Sequence, residues 1–234
     1  MKKKNFNFKQ FTVAQHQAGM AVSTDGVLLG AWCQVEQAHH ILDIGTGTGL
    51  LALMCAQRNP LAKITALELD AYAVQAASDN FSQSPWAARI SLIHADAQTV
   101  ALDEQYDVII CNPPYFNSGE HAQTTQRATA RHTHTLNHQC LLERCVQWLK
   151  PEGKASFILP IAEGEQFIKI AQSLGLQLQR RCLVKPTQAK AANRSLFELA
   201  RATVMTDEQR IVIRNNGQYS EEFTALTKEF YLKM

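Results

Sequence analysis

The chain has 234 residues, 46% hydrophobic and 19% charged, which suits one α/β domain with a sizeable core. A net charge of +2 is too small to mark a nucleic-acid binder by itself. No apolar run approaches the ~18 residues of a membrane helix. The basic start, with Lys2, Lys3, Lys4 and Lys9, lacks the apolar stretch of a signal peptide. A cytoplasmic location with no membrane association is expected.

In chain order, His40–Asp43 reads as a short strand before a Gly-rich turn, and Leu50–Gln57 as a helix closed by Pro60. Lys63–Glu68 and Arg89–His94 read as strands flanking an Ala-rich helix, Ala71–Phe81. Tyr106–Cys111 is apolar enough to be a strand buried on both faces. Leu136–Leu149 is amphipathic and ends at a turn, Lys150–Gly153. Strand Lys154–Leu159 follows, then helix Ala162–Leu174, stopped by Gly175. Leu176–Val184 and Leu196–Val204 are strands joined by a basic loop, Lys185–Ser195, too short for a helical crossover, so they are expected to be antiparallel neighbours. Arg210–Ile213 and Ser220–Tyr231 add a possible edge strand and a helix.

This alternation predicts a seven-stranded, mostly parallel sheet with one antiparallel strand near an edge and helices on both faces. That arrangement resembles the Rossmann-like class I methyltransferases. It reads as a single domain, 1–234, with an N-terminal extension, 1–35, and a C-terminal strand and helix addition, 205–234. Cys33, Cys55, Cys111, Cys140, Cys145 and Cys182 form no Cys-x-x-Cys pair and read as buried free thiols.

Leu42-Asp43-Ile44-Gly45-Thr46-Gly47-Thr48-Gly49 joins the first of these strands to the first helix, where glycines let backbone approach a ligand closely. A dinucleotide site would place its third glycine one residue later. Asp43 would repel a pyrophosphate but suits the ammonium of S-adenosyl-L-methionine. Glu68, at the end of the next strand, suits the two hydroxyls of a ribose. Asp96 suits the adenine amine, with a backbone N–H from Ala97. Thr46, Gly49 and Leu69 lie beside these residues and are counted with the cofactor site.

Asn112-Pro113-Pro114-Tyr115 follows the fourth strand. Two prolines fix φ twice and remove two donors, so the Asn112 side chain and the Pro113 carbonyl are held as acceptors. An exocyclic amine has its lone pair delocalised into the ring. Two acceptors gripping its hydrogens favour the pyramidal form and aim the lone pair at the methyl carbon, so positioning and electrostatics supply catalysis. Tyr115 offers a face on which an extruded base stacks. Pro114 and Phe116 flank that face, and Asn112 also borders the cofactor site.

Arg127 and Arg131 lie in a long segment that is a candidate phosphate-binding lid. His132, His134 and His138 are spaced as a conceivable metal set, but this chemistry needs no metal, and a solvated or RNA-facing stretch fits them better. Lys190 and Arg194 sit in the basic loop, which together with the N-terminal lysines is a candidate polyanion surface.

The sequence resembles the bacterial tRNA1(Val) adenine-N6 methyltransferases along nearly its whole length. The likeness runs from Phe8–Val13 and Ser23–Trp32, through the glycine loop and Asn112–Phe116, to Tyr219–Phe223 and Leu226–Leu232. It implies methylation of the adenosine 3′ to the anticodon in a valine tRNA, with no obligatory protein partner. It also implies that Thr24-Asp25-Gly26 helps close the cofactor pocket, that Asp43, Gly45, Gly47, Glu68 and Asp96 hold the cofactor, and that Asn112 and Tyr115 hold the base. Protein glutamine methyltransferases share Asn-Pro-Pro-Tyr but carry a longer N-terminal recognition domain. DNA adenine methyltransferases carry a target-recognition domain for which this chain has no room. An RNA-binding module without activity is the non-enzyme alternative, and the intact acceptor motif argues against it.

Overall fold

The structure, a computed structural model, describes residues 5–14, 22–114 and 137–233. Its strands are β1 (Asn5–Asn7), β2 (Thr12–Ala14), β3 (His40–Ile44), β4 (Lys63–Glu68), β5 (Ile90–His94), β6 (Tyr106–Cys111), β7 (Leu149–Pro160), β8 (Gln177–Thr187), β9 (Arg194–Ala200), β10 (Asp207–Asn215) and β11 (Gln218–Tyr219). Its helices are α1 (Thr24–Trp32), α2 (Leu50–Arg58), α3 (Ala71–Ser82), α4 (His138–Trp148), α5 (Ile161–Ser173) and α6 (Glu221–Thr227).

β1 and β2 form an antiparallel hairpin, and the other strands form one sheet in the order β11-β10-β8-β9-β7-β6-β3-β4-β5. The central strands β7-β6-β3-β4-β5 are parallel, and β9 runs antiparallel to both β7 and β8. Side chains alternate across the sheet. Ile41, Val108 and Ile110 enter a core under α1, α2, α3 and α6, and Leu42, Ile44, Ile109 and Cys111 enter a second core under α4 and α5. Both faces are therefore covered, which is why these strands read as continuous apolar runs.

Among the described residues the sheet has nine strands instead of seven. Arg210–Ile213 is the middle of a long strand, β10, that pairs parallel with β8, so the C-terminal addition widens the sheet. Two strands are reversed instead of one: β9 lies inside the sheet, and β11, antiparallel to β10, forms its edge. The basic connection is also shorter than expected, because Arg194 pairs with both Pro160 and Val184 and β8 continues to Thr187. β9 stops at Ala200, short of Val204. The expected turn Lys150–Gly153 is an irregularity within β7: Leu149 stands opposite Tyr106 and Lys154 opposite Val108. A Cβ at Gly153 would lie 2.8 Å from the Tyr106 carbonyl, which fixes the glycine there.

The hairpin and α1 are elements that the sequence pattern does not announce. α1 is buried from Gly26 to Trp32, so it has no polar face and no helical period. Among the described residues, no helix is long and apolar enough to cross a membrane. Cys33, Cys55, Cys111, Cys145 and Cys182 are buried free thiols, as expected, and Cys140 is half-buried.

Candidate active site

Asn112, Asp43, Glu68 and Asp96 stand in a row at or just beyond the carboxyl ends of four adjacent strands, β6, β3, β4 and β5. Three strand spacings cover about 14 Å, room for a nucleoside joined to an amino-acid chain.

Between β3 and α2 the chain turns through Gly45, Gly47 and Gly49 with φ of 69°, 59° and 86°, a region that favours glycine. A Cβ at Gly45 or Gly47 would meet nothing within 4 Å, so these residues face open space. Gly49 differs, because its Cβ would lie 2.4 Å from the Phe81 ring. The first two glycines leave room for a ligand, and the third lets α3 pack against the start of α2.

Asp43 is fully buried beneath this loop. Its Oδ2 accepts from the Thr46 hydroxyl at 2.5 Å and from the Ala52 N–H at 3.1 Å, so it braces both the loop and the first turn of α2. Its Oδ1 is enclosed with no hydrogen-bond partner among the described residues. Burial pushes the carboxyl up to about 7, against the lowering effect of the two hydrogen bonds and with a small push from Glu68. A cation above the loop would draw it back toward the ionised form.

Glu68 is partly committed to the backbone. Oε2 accepts from Gly47 N–H at 2.8 Å, and Oε1 accepts from the N–H groups of Leu69 and Asp70, each at 2.9 Å. Each carboxylate oxygen keeps further lone-pair capacity for ribose hydroxyls. Leu69 is exposed beside it, and its carbonyl is held by His94 Nε2 at 3.0 Å. Asp96 closes its own turn through Gln98 N–H at 2.8 Å, and Ala97 is buried in the core beneath. Asp70 caps α3 by accepting from Ala73 N–H at 2.9 Å, leaving Glu68 free of that task.

Ser23 caps α1 by accepting from Gly26 N–H at 3.1 Å. Thr24 and Asp25 therefore lie in the first turn of this helix, where a Cβ at Gly26 would press on Leu50, the first residue of α2. Asp25 Oδ2 meets Arg194 Nε at 2.8 Å, an ion pair between α1 and β9. Arg194, read from the sequence as a phosphate contact, is thus bound to the protein's own acid. Lys190 stays exposed in the connecting loop.

At the end of β6, Asn112 Oδ1 is buried with no hydrogen-bond partner among the described residues. An unmatched buried acceptor costs stability, and one at a strand end beside a crevice is suited to an incoming N–H. Pro113 is buried and Pro114 exposed. Tyr115, Phe116, Arg127, Arg131, His132 and His134 lie outside the described residues. His138 is half-buried at the start of α4, hydrogen-bonded to the Pro114 backbone and edge-on to Phe167 at 5.0 Å. Burial lowers its pKa, and the charge of Glu163 opposes that shift.

The methyltransferase small domain family matches residues 24–157, which hold the glycine loop, the strand-end acids and Asn112. The tRNA1(Val) (adenine(37)-N6)-methyltransferase of Vibrio vulnificus strain YJ016 is 54% identical over 234 residues, covering 100% of this chain and 98% of its own. That of Aliivibrio fischeri strain ES114 is 49% identical over 231 residues, covering 99% of each chain. The chain belongs to the tRNA1(Val) (adenine(37)-N6)-methyltransferase family.

Solved methyltransferase structures share the fold. A predicted O-methyltransferase from Agrobacterium tumefaciens superposes with a TM-score of 0.66 at 20% identity, covering 88% of this chain and 96% of its own. A methyltransferase from Pyrococcus furiosus gives 0.63 at 20% identity, covering 82% and 90%. In this member of the tRNA1(Val) methyltransferase family, the two terminal blocks that carried the resemblance meet in space. Phe8 bridges Tyr231, Lys9 N–H donates to the Phe230 carbonyl at 2.8 Å, and Phe8 stacks on Phe11. Phe8, Phe223 and Phe230 are buried, so packing explains these residues. One polar residue escaped the sequence reading: Asn80, under the glycine loop, which sits in no motif and is revealed only by its tertiary contacts. His138, read in the sequence with His132 and His134, lies behind Pro114.

Proposed function

We propose that this protein transfers a methyl group from S-adenosyl-L-methionine to the exocyclic N6 amine of adenosine 37 in a valine tRNA, the activity named for relatives that match the whole chain. The observation that carries the chemistry is the buried, unmatched Asn112 Oδ1 at the end of β6.

The cofactor, when bound, supplies an electrophilic methyl group on a sulfonium. Gly45 and Gly47 leave room for its backbone approach, Asp43 attracts its ammonium from below the loop, and Glu68 and Asp96 accept from its ribose and adenine. Thr46, Gly49, Leu69 and Ala97 shape the same crevice, with the turn Thr24-Asp25-Gly26 beside it. Asn112 Oδ1 and the Pro113 carbonyl accept the two amine hydrogens and aim the nitrogen lone pair. No strong base is required, because the amine proton becomes acidic once the methyl has transferred. Tyr115, between Pro114 and Phe116, stacks on the extruded base. Arg127, Arg131 and Lys190 meet RNA phosphates. Arg194 shapes the same surface while paired to Asp25. The chain works as a single domain, 1–234, in the cytoplasm where its tRNA is.

The test is tritiated methyl transfer from the cofactor to unmodified valine tRNA, with a release factor as the competing acceptor. Label in the RNA alone supports the reading. Label in protein glutamine favours the glutamine alternative, and no label despite cofactor binding favours an RNA-binding module.

A further inference from the structure

Asn80, on the inner face of α3, is 3% exposed, and its carboxamide joins two segments far apart in sequence. Oδ1 accepts from Ala14 N–H at 2.9 Å, and Nδ2 donates to the Thr48 carbonyl at 2.8 Å and to the Ala14 carbonyl at 3.2 Å. Ala14 ends β2 of the N-terminal hairpin. Thr48 precedes Gly49, the residue against which the next side chain of α3, Phe81, packs its ring. Asn80 and Phe81 therefore hold the same peptide of the glycine loop, one by a hydrogen bond and one by contact.

The chemistry of the side chain is specific. One planar carboxamide supplies an acceptor to Ala14 and donors to Thr48 and Ala14 together. Aspartate lacks the donors, and alanine lacks both. The hairpin is fixed independently at its other end, where Phe8 and Lys9 bond to Tyr231 and Phe230. Asn80 thus sits between a braced hairpin and the loop whose open side faces the cofactor crevice.

We propose that Asn80 is a positioning residue for cofactor binding, which transmits the placement of the N-terminal hairpin at Ala14 to the glycine loop at Thr48. The proposal rests on the reading that this loop binds S-adenosylmethionine. It gives the hairpin a role in cofactor affinity without any contact between hairpin and cofactor.

The test measures the dissociation constant for S-adenosylhomocysteine by calorimetry, the cofactor KM and kcat, and the melting temperature of the cofactor-free protein. The proteins are wild type, Asn80→Ala, Asn80→Asp, Ala14→Pro and the double variant Asn80→Ala with Ala14→Pro. Proline at Ala14 removes the one N–H that Asn80 accepts, at a strand end where an extended residue precedes it. Asn80→Ala is expected to weaken S-adenosylhomocysteine by roughly tenfold, Asn80→Asp by at least as much, and Ala14→Pro by about threefold. In each, KM for the cofactor rises while kcat at saturating cofactor stays within about threefold of wild type. The double variant should bind like Asn80→Ala alone, because both changes break one linkage.

A folded Asn80→Ala with a lowered melting temperature but unchanged cofactor affinity would make Asn80 merely structural and overturn the proposal. So would multiplicative losses in the double variant. If Asn80→Ala does not fold, Ala14→Pro decides alone, and unchanged affinity in it overturns the proposal. Wild type failing to bind S-adenosylhomocysteine would instead overturn the cofactor reading beneath it.

Discussion

Asp43 and Thr46 are joined by a 2.5 Å hydrogen bond that ties a fully buried carboxylate to the loop above it. Burial holds the Asp43 carboxyl at about 7, so at neutral pH it is near half-protonated. A folded-state value raised above the unfolded one means that the folded protein holds this proton more tightly. The stability that this gives is full below the unfolded value and is lost as pH rises through about 7. The apoprotein should therefore lose stability relative to Asp43→Asn between about pH 4 and pH 7, with a constant gap above. Denaturant melts across that range check this.

The same group links cofactor binding to pH. A bound ammonium stabilises the carboxylate, so binding at pH 7 should release about half a proton more in wild type than in Asp43→Asn, with the difference fading above about pH 8.5. Calorimetry in buffers of different ionisation enthalpy reads the proton count. Equal counts in the two proteins would remove Asp43 from the ammonium's surroundings.

Two glycines of one loop should fail differently. Gly47→Ala meets no protein atom but carries left-handed strain of about 1–2 kcal/mol, so its melting temperature falls by only a few degrees while cofactor affinity drops at least tenfold. Gly49→Ala drives its Cβ into Phe81 and should lose at least twice as much melting temperature. Melting curves with and without S-adenosylhomocysteine separate the two.

Asn112→Ala removes an acceptor that aligns the amine. It should leave cofactor affinity nearly intact and cut turnover by roughly 10²-fold. Single-turnover methylation of tRNA is the measurement, and near-normal turnover would dismiss the alignment mechanism.

Asp25 already neutralises Arg194, so the exposed Lys190 is the freer cation of the basic connection. Lys190→Ala should lower the salt slope of tRNA binding by about one, and Arg194→Ala by less. Equal reductions in filter-binding titrations would restore Arg194 to the phosphate surface.

The sequence carried the sheet's centre because its strands are buried on both faces. Lys63–Glu68 and Tyr106–Cys111 match β4 and β6 end to end. It missed α1, where Gly26 and Gly30 have low helix propensity and burial from Gly26 to Trp32 leaves no helical period. They are tolerated because α2 packs so close that a Cβ at Gly30 would lie 2.6 Å from the Met54 sulfur. Three-residue strands such as β1 and β2 are too short to show a period. The strand-end acids were legible because position alone marks them. The partner of Arg194 was not, since Asp25 lies 169 positions away. Asn80 was hidden for the same reason, because its partners come from the hairpin and the loop and not from its own helix.

The most direct test of the central claim is nuclease mapping by mass spectrometry of an unmodified valine tRNA transcript after incubation with the protein and S-adenosylmethionine. The account predicts one added methyl, on N6 of adenosine 37, formed roughly 10²-fold more slowly with Asn112→Ala. A methyl on another nucleotide, or an unmodified transcript from a protein that binds the cofactor, would contradict it.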